Sequence, residues 1–573
     1  MSYSIEFREV SFRYEDARED ALKRISFRIE PGEIVLLTGP AGSGKTTLCS
    51  CANALIPHYH EGELTGEVLI GPYDTKRARI GGLASIVGLV FQDPESQIVT
   101  ASVADEVAFG PENLGVSRDE INERVSNALD ATRLRGYEER DPHSLSGGEQ
   151  QATVIAAIYA MHPEIYVMDE PLANLDPQGR SQVLRLIVEV AKQRGKTLLL
   201  VEHALDEVLP LVDRVMVMDR GRIVRDGPVR DVLNAGDIPA VFTRPAFMRL
   251  AEEAGLDPLP LNPDEFYRAL TASRALVRLD GAWAQQPELR TVPPDGPPVI
   301  QIRDLHYAYA PGLPALNGLD LTIHRGEMIA ILGRNGSGKT TLVRHLIGLL
   351  QADRGQVVVL GRDASRTPTH ELARMVGFCF QNPNHQLVTF NVRDEIAFGL
   401  EAHGVDPDEF EGRIHTALEL AGLTDQLDAE LFDLGKGQRQ RLALASVIAL
   451  EPEILIIDEP TTGQDARMAV EIFEILRRLN EQGTTILLIT HKVGLAATYA
   501  DRAIVLRHGR IDFDGRFPDL LSDVELMKTN SLELPQITQI ARLLEPYGVP
   551  PWLASYDQLA AAFRAIAGGT DGD

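Results

Sequence analysis

One phrase occurs twice in this chain, and it fixes how the rest must be read. Gly39-Pro-Ala-Gly-Ser-Gly-Lys45-Thr46 returns as Gly333-Arg-Asn-Gly-Ser-Gly-Lys339-Thr340. Further pairs follow in the same order and at nearly constant displacement. Phe91-Gln92-Asp-Pro matches Phe380-Gln381-Asn-Pro, Met168-Asp169-Glu170-Pro matches Ile457-Asp458-Glu459-Pro, and Glu202-His203 matches Thr490-His491. A tandem duplication of this kind folds as repeated units and not as one extended core. Each copy closes on two apolar stretches joined by a turn, Val215 to Met218 with Ile223-Val224, and Ala503 to Leu506 with Ile511. Val292-Pro-Pro-Asp-Gly-Pro-Pro298 cannot continue a helix or a central strand and reads as a linker. The expected organisation is therefore a first unit over 1–240, a helical appendage and linker over 241–298, a second unit over 299–522 and a C-terminal helical appendage over 523–573. Phe247 to Leu256 carries the helical spacing of the first appendage, and Glu525 to Leu544 is its weaker counterpart in the tail.

Length and composition agree with several packed units. At roughly 100 to 200 residues per domain, 573 residues make about three or four, and 44% hydrophobic with 24% charged residues is a globular balance. A formal net charge of −27 argues against a nucleic-acid partner held by a general basic field. Cys49, Cys51 and Cys379 form neither a disulfide framework nor a zinc site, since two residues i and i+2 on a helix do not share a face. Met1 to Val10 alternates polar and apolar residues and reads as a first strand, not a signal peptide. Apolar runs such as Thr197 to Val201 and Leu442 to Leu450 end far short of a membrane span.

In both copies an aliphatic strand, Ile34 to Leu37 and Met328 to Leu332, runs into G-x-x-x-x-G-K-T and then into a helical pattern. That is the context of a P-loop. Its glycines, here Gly39, Gly42 and Gly44 and again Gly333, Gly336 and Gly338, let successive N–H groups converge on phosphates. Lys45 and Lys339 reach the β- and γ-phosphates, and Thr46 and Thr340 offer a hydroxyl to Mg²⁺. Ser43, Thr47, Asn335, Ser337 and Thr341 complete the two nucleotide cradles. Each copy also has an aliphatic run ending in acid, Ile165-Tyr-Val-Met-Asp169-Glu170 and Ile454-Leu-Ile-Ile-Asp458-Glu459. An Asp at such a strand end can hold Mg²⁺ through water, and the Glu beside it is placed to polarise an attacking water.

With Leu145-Ser146-Gly147-Gly148-Glu149-Gln150 ahead of the first acidic strand, the sequence resembles the ATP-binding cassette (ABC) ATPases over both copies. The resemblance implies an α/β fold of two P-loop domains, each with a parallel core sheet, an antiparallel β portion and a helical subdomain. It implies ATP and Mg²⁺ as ligands and further roles by position: Gln92 and Gln381 sense Mg²⁺, His203 and His491 contact the γ-phosphate, and Tyr14 and Tyr309, each about 30 residues before its lysine, stack on adenine. In the family two cassettes meet head to tail, here expected within one chain, and the signature of one covers the ATP of the other. The second copy departs from that pattern. Its aligned stretch is Leu434-Gly435-Lys436-Gly437-Gln438, which lacks the serine hydroxyl, so the site of Lys45, Asp169 and Glu170 is expected to differ from that of Lys339, Asp458 and Glu459. Ala152, where a basic residue is usual, and Gly463-Gln464-Asp465, where Leu usually precedes Asp, are smaller departures.

Phe91-Gln-Asp-Pro-Glu-Ser-Gln97-Ile-Val-Thr with Asp105-Glu-Val-Ala-Phe-Gly, and Phe380-Gln-Asn-Pro-Asn-His-Gln386-Leu-Val-Thr with Asp394-Glu-Ile-Ala-Phe-Gly399, closely resemble the ATPases of energy-coupling factor (ECF) transporters. That resemblance places Gln97 and Gln386 near a groove for coupling helices. A reading from the residues alone makes them surface helix caps. The partners implied are a transmembrane coupling subunit and a small substrate-binding membrane subunit, with the chain peripheral at the cytoplasmic face of the cell membrane and the cargo a vitamin or metal ion. Two rivals remain: a soluble tandem ATPase acting on ribosomes, disfavoured by the charge, and the ATPase of a sugar importer. A DNA-repair ATPase would need a coiled coil or zinc hook, and Thr46 to Ser144 has neither sustained heptads nor a C-x-x-C pair.

Overall fold

A computed structural model of the chain describes residues 3–567 apart from 16, 146, 173–174, 176, 204, 235–243, 274–275, 280–296, 311 and 462–465. Ser146, Gly463-Gln464-Asp465 and most of the Pro-rich linker therefore lie outside the described residues. The chain divides into two compact units, Met1–Leu270 and Thr271–Asp573.

In the first unit Ile34–Thr38, Thr197–Val201 and Ile165–Asp169 are buried at every position. Such continuous aliphatic runs are what a parallel strand covered on both faces requires. They lie in a six-stranded sheet ordered Arg222–Pro228, Arg214–Asp219, Ile34–Thr38, Thr197–Val201, Ile165–Asp169, Val87–Val90. Only the edge strand Arg222–Pro228 is antiparallel, joined to its neighbour by the tight turn the sequence announces. A separate antiparallel sheet contains Leu22–Ile29, Ile5–Tyr14, Gly62–Ile70 and Tyr73–Asp74. The first of its strands to appear in sequence is the alternating N-terminal stretch. Helices Val103–Asn113, Arg118–Ala131 and Gly147–Ala160 form the helical subdomain, closed around Val103, Val107, Ala128, Leu129 and Ala156. Ser102 caps the first of them by accepting the Asp105 N–H.

The second unit repeats this plan by itself. Its six-stranded sheet runs Val376–Cys379, Ile454–Asp458, Thr485–Ile489, Met328–Leu332, Arg502–Arg507, Arg510–Arg516. Its antiparallel sheet contains Leu313–His324, Pro298–Ala310, Arg354–Val359 and Arg362–Asp363. Val392–His403, Phe410–Leu420 and Lys436–Ile448 make its helical subdomain. All three cysteines are free and buried, with Cys49 and Cys51 on the helix Lys45–Ala52.

The appendages are larger than the sequence periodicity indicated. The first has two helices, Ala246–Glu253 and Pro263–Ser273, in which Phe247, Leu250, Phe266 and Leu270 are buried. In the tail the expected single segment Glu525 to Leu544 is instead broken into Val524–Thr529, which ends before Ser531 takes a left-handed φ of +54°, and Gln536–Leu543, which starts after Pro535. A third helix, Tyr556–Ile566, follows. Val277 N donates to Ile566 O at 2.8 Å and Leu279 N to Tyr547 O at 2.8 Å, so the segment that leads into the second cassette is fastened to this C-terminal appendage.

Candidate functional site

Strand order places the chemistry. Thr197–Val201 is paired on one side with the P-loop strand, Leu37 opposite Val201, and on the other with the acidic strand, Asp169 opposite Val201. All three strands point the same way, so Gly39, Asp169-Glu170 and Glu202-His203 leave the sheet together at its C-terminal edge, where open α/β sheets bind ligands. The second unit has the same register, with Ile331 opposite Ile489 and Asp458 opposite Ile489.

The loop after the P-loop strand can only be made with glycine at two points. Gly39 has φ +150° and a Cβ there would lie 2.1 Å from Met218 O; Gly44 has φ +102° and a Cβ would lie 2.5 Å from Ala21 O. Lys45 Nζ donates to Gly39 O at 3.0 Å and Pro40 O at 2.9 Å, and Lys339 Nζ to Gly333 O at 2.7 Å and Arg334 O at 2.9 Å. Each ammonium thus sits buried across its own loop. Ser43 Oγ and Ser337 Oγ are buried with no hydrogen-bond partner among the described residues, as is Asp169 Oδ1. Buried polar atoms of this kind fit a site built for phosphate and cation. Thr46 lies close enough to Asp169, and Thr340 to Asp458, to lower the carboxyl beside it, bringing together the hydroxyl and carboxylate expected to hold Mg²⁺. Tyr14 Oη lies 3.1 Å from Thr47 Oγ1, and Tyr309 Oη 3.2 Å from Thr341 Oγ1, so both rings stand beside their P-loop helix.

Glu170 and Glu459 each follow the acidic strand at φ +48°, a conformation that costs about 1 kcal/mol for a residue with a Cβ. Their amides remain bonded to the sheet, to Val201 O at 3.0 Å and Ile489 O at 2.9 Å. In the first copy Gln92 Nε2 donates to Glu170 Oε2 at 2.8 Å and His203 Nε2 lies 2.9 Å from Oε1. In the second, His491 Nε2 is 3.1 Å from Glu459 Oε1 and the His491 amide donates to Oε2 at 3.3 Å, while Gln381 is exposed. The two sites are already unlike within their own units.

Burial pushes the Asp169 carboxyl up to about 6, against the Thr46 hydrogen bond, and raises Asp458 as well. It pushes Glu459 and Glu202 up to about 8. A carboxyl whose pKa is higher folded than unfolded binds its proton more tightly in the native state, so stability is lost as pH rises from the ordinary carboxylate range through the folded value. The nucleotide-free protein is therefore expected to melt at progressively lower temperature between about pH 5 and about pH 8, and Glu459→Gln is expected to flatten that slope. Differential scanning across the pH range checks it; a melting temperature that climbs over the window would contradict it.

Gln97 and Gln386 stand half-buried at the C-terminal caps of the short helices Pro94–Ser96 and Pro383–His385, with their side chains bonded to neighbouring segments. Gln97 Oε1 accepts the Phe91 N–H at 2.7 Å and its amide donates to Leu89 O at 3.1 Å. Gln386 Oε1 accepts the Phe380 N–H at 3.3 Å and its amide donates to Ala443 O at 2.6 Å and Ser446 Oγ at 3.1 Å. Both close the loop that carries the sensing glutamine. Two buried carboxyl groups that fasten this segment escaped sequence reasoning, Glu106 and Glu395. Buried Glu106 Oε2 accepts from Val99 N at 3.0 Å, Thr100 N at 2.9 Å and Thr100 Oγ1 at 2.9 Å. Glu395 Oε2 does the same for Val388 N, Thr389 N and Thr389 Oγ1. The signal was the Val-Thr followed by Asp-Glu that both copies share. Gly435 caps the helix Lys436–Ile448, its N–H bonded to Gln438 Oε1 at 3.0 Å, and Gly147-Gly148 open the corresponding helix Gly147–Ala160.

The family profile described as ABC transporter matches residues 22–173 and again 316–462. The chain belongs to the ABC transporter family. Like the family's other ATP-binding components, this ABC protein is an ATPase that binds ATP with Mg²⁺. It is 37% identical over 94% of its length to a relative from Caldanaerobacter subterraneus, covering 95% of that protein, and 37% identical over 98% of its length to one from Methanosarcina acetivorans, covering 94%. Both are named provisionally as ABC transporter ATP-binding proteins. A solved structure of cbiO1 from Clostridium perfringens, part of the ABC transporter complex cbiONQ, matches at 32% identity over 43% of this chain and 99% of that one, with a TM-score of 0.39. Among the described residues no helix is long and apolar enough to cross a membrane.

Proposed function

We propose that this ABC ATPase is the ATP-hydrolysing subunit of an ECF-type importer, acting on a transmembrane coupling subunit that in turn moves a small substrate-binding membrane subunit. In each cassette the Glu, Glu170 or Glu459, orients and deprotonates the water that attacks the γ-phosphorus as the bond to the β-phosphate oxygen breaks and ADP leaves. Lys45 and Lys339 neutralise the phosphates, His203 and His491 hold the γ-phosphate side, and Tyr14 and Tyr309 hold the base. Thr46, Asp169 and Gln92 in the first copy, and Thr340, Asp458 and Gln381 in the second, would hold Mg²⁺, which when bound would neutralise phosphate charge. Two composite sites, each completed by the other cassette's signature, are carried over from the family resemblance.

The observation that carries the transport reading is the fastening of the segment after each sensing glutamine. Gln97 and Glu106, and likewise Gln386 and Glu395, tie a loop rigidly between the nucleotide edge of the sheet and the helical subdomain. A loop so fixed transmits a displacement instead of absorbing it. Beside it the second copy exposes Phe390 (77%) and Phe432 (74%), held adjacent by Leu431 N to Phe390 O at 2.8 Å. Unpaired aromatics of that size on a surface suit an apolar membrane-protein element. Phe390→Asp with Phe432→Asp is expected to cut recovery of membrane subunits with the chain at least about tenfold while fluorescent-ATP binding persists; undiminished recovery would refute this docking face.

A further inference from the structure

We propose that Glu202 is a positioning residue for the first site alone, its carboxyl group holding the switch histidine and the segment behind Glu170 in register so that the two oxygens of Glu170 keep their contacts with Gln92 and His203. The proposal rests on Glu170 being the water-activating carboxylate of that site.

Glu202 stands at the end of Thr197–Val201, is 4% exposed, and keeps its own amide near the P-loop strand, 3.4 Å from Leu37 O. Its side chain spans two backbone groups: Oε1 accepts the Leu172 N–H at 3.0 Å and Oε2 the His203 N–H at 3.3 Å. Leu172 is two residues beyond Glu170, and His203 carries the ring that touches Glu170 Oε1 at 2.9 Å. Glu202 therefore joins three elements, the P-loop strand through its amide and, through its carboxyl oxygens, the chain leaving Glu170 and the switch histidine. Burial raises the Glu202 carboxyl, and Arg180 behind it, from the helix Pro177–Arg194 and paired with Glu207 at 3.3 Å, acts against that rise.

The second copy is the built-in control. Thr490, Ala469 and Leu495 stand where Glu202, Arg180 and Glu207 stand in the first copy, and Thr461 replaces Leu172. The Thr490 hydroxyl accepts the Lys492 N–H at 3.0 Å instead of reaching across. With no carboxylate behind it, the His491 N–H turns to Glu459 Oε2 at 3.3 Å. In the first copy the equivalent donor is taken by Glu202, and Glu170 Oε2 is bonded to Gln92 at 2.8 Å. A buried carboxylate accepting two main-chain N–H groups is a strong, directional restraint, and replacing one oxygen by an amide nitrogen sets a donor against a donor.

The test compares ATP turnover in the wild-type chain, Glu202→Gln, Glu170→Gln and the double variant, with KM for ATP and binding of a fluorescent ATP analogue alongside. Glu202→Gln is expected to lower kcat by the same factor as Glu170→Gln, about threefold, with KM within about twofold of wild type and no further loss in the double variant. Glu202→Asp, which keeps the charge at shorter reach, is expected to fall between wild type and Glu202→Gln, and it serves as the reading should the amide variant not fold. An unchanged kcat in Glu202→Gln, a loss carried by KM, or a loss that multiplies with Glu170→Gln would overturn the positioning role and leave Glu170 standing. Turnover unaffected by Glu170→Gln would overturn the assignment of Glu170 itself, and the proposal with it.

Discussion

Glu459→Gln is expected to remove nearly all ATP turnover, about a hundredfold, whereas Glu170→Gln is expected to cost only about threefold. By the family resemblance the Glu459 site is completed by Ser146-Gly147-Gly148, which offers a hydroxyl and helix N-terminal N–H groups to the γ-phosphate. The same resemblance would have the Glu170 site completed by Gly435-Lys436-Gly437, from which that hydroxyl is missing. One lost donor at a developing charge costs about 10²–10³ in rate, enough to leave the first site a minor contributor even with its own carboxylate well held. The local wiring points to the same inequality by another route. Glu170 is braced by two side chains, Gln92 and His203, and its neighbour Glu202 takes the main-chain donors. Glu459 takes the His491 N–H itself and is pushed up to about 8 by burial. A site that keeps its braced geometry while turning over slowly is suited to holding ATP between cycles. Steady-state turnover of the two single variants decides the matter; equal losses would mean equivalent sites.

Gly333→Ala is expected to abolish nucleotide binding in the second cassette, weakening it by at least about a hundredfold. Gly333 has φ +143°, and an added methyl would lie 2.3 Å from Leu506 O and 2.7 Å from Ser337 Oγ. Neither neighbour can yield. Leu506 lies in a central strand bonded to Leu332 and its partners, and the Ser337 oxygen is one of the buried polar atoms facing the phosphate cradle. Gly336→Ala is the matched comparison: its φ of +74° is equally left-handed but nothing lies within 4 Å of the added carbon. It should cost only the backbone strain, about 1 kcal/mol, and retain binding. Titration with a fluorescent ATP analogue separates the two; wild-type affinity in Gly333→Ala would show that the loop is not held where strand and turn place it.

The nucleotide machinery was legible because each part of it is contiguous in sequence. A buried aliphatic strand, a glycine turn and a helix start are consecutive residues, so Gly39 to Thr47 or Ile454 to Glu459 can be read without knowing the neighbours. The strands that carry Tyr14 and Tyr309 bring these rings to the Thr47 and Thr341 hydroxyls, contacts that the spacing to the lysine does not announce. What was hidden depends on atoms distant in sequence. Glu106 reads as one more acidic residue in the first turn of a helix until its oxygen is seen to hold Val99 and Thr100. Glu202 reads as a spacer before a histidine, because Leu172 comes within reach only through strand order. Gln97 was ambiguous for the same reason, its partners Phe91 and Leu89 being backbone groups that no side-chain pattern advertises. The appendage helices Pro263–Ser273 and Tyr556–Ile566 went unread since short amphipathic segments draw their stability from packing, not from their own propensity.

The coupling of this ATPase to a membrane partner is tested most directly by purifying the tagged chain from detergent-solubilised native membranes and identifying its companions by mass spectrometry. The account predicts two kinds of multi-spanning protein in stable association, a larger coupling subunit and a smaller one that binds cargo. Recovery of ribosomal proteins, or of the chain alone, would contradict the transport reading.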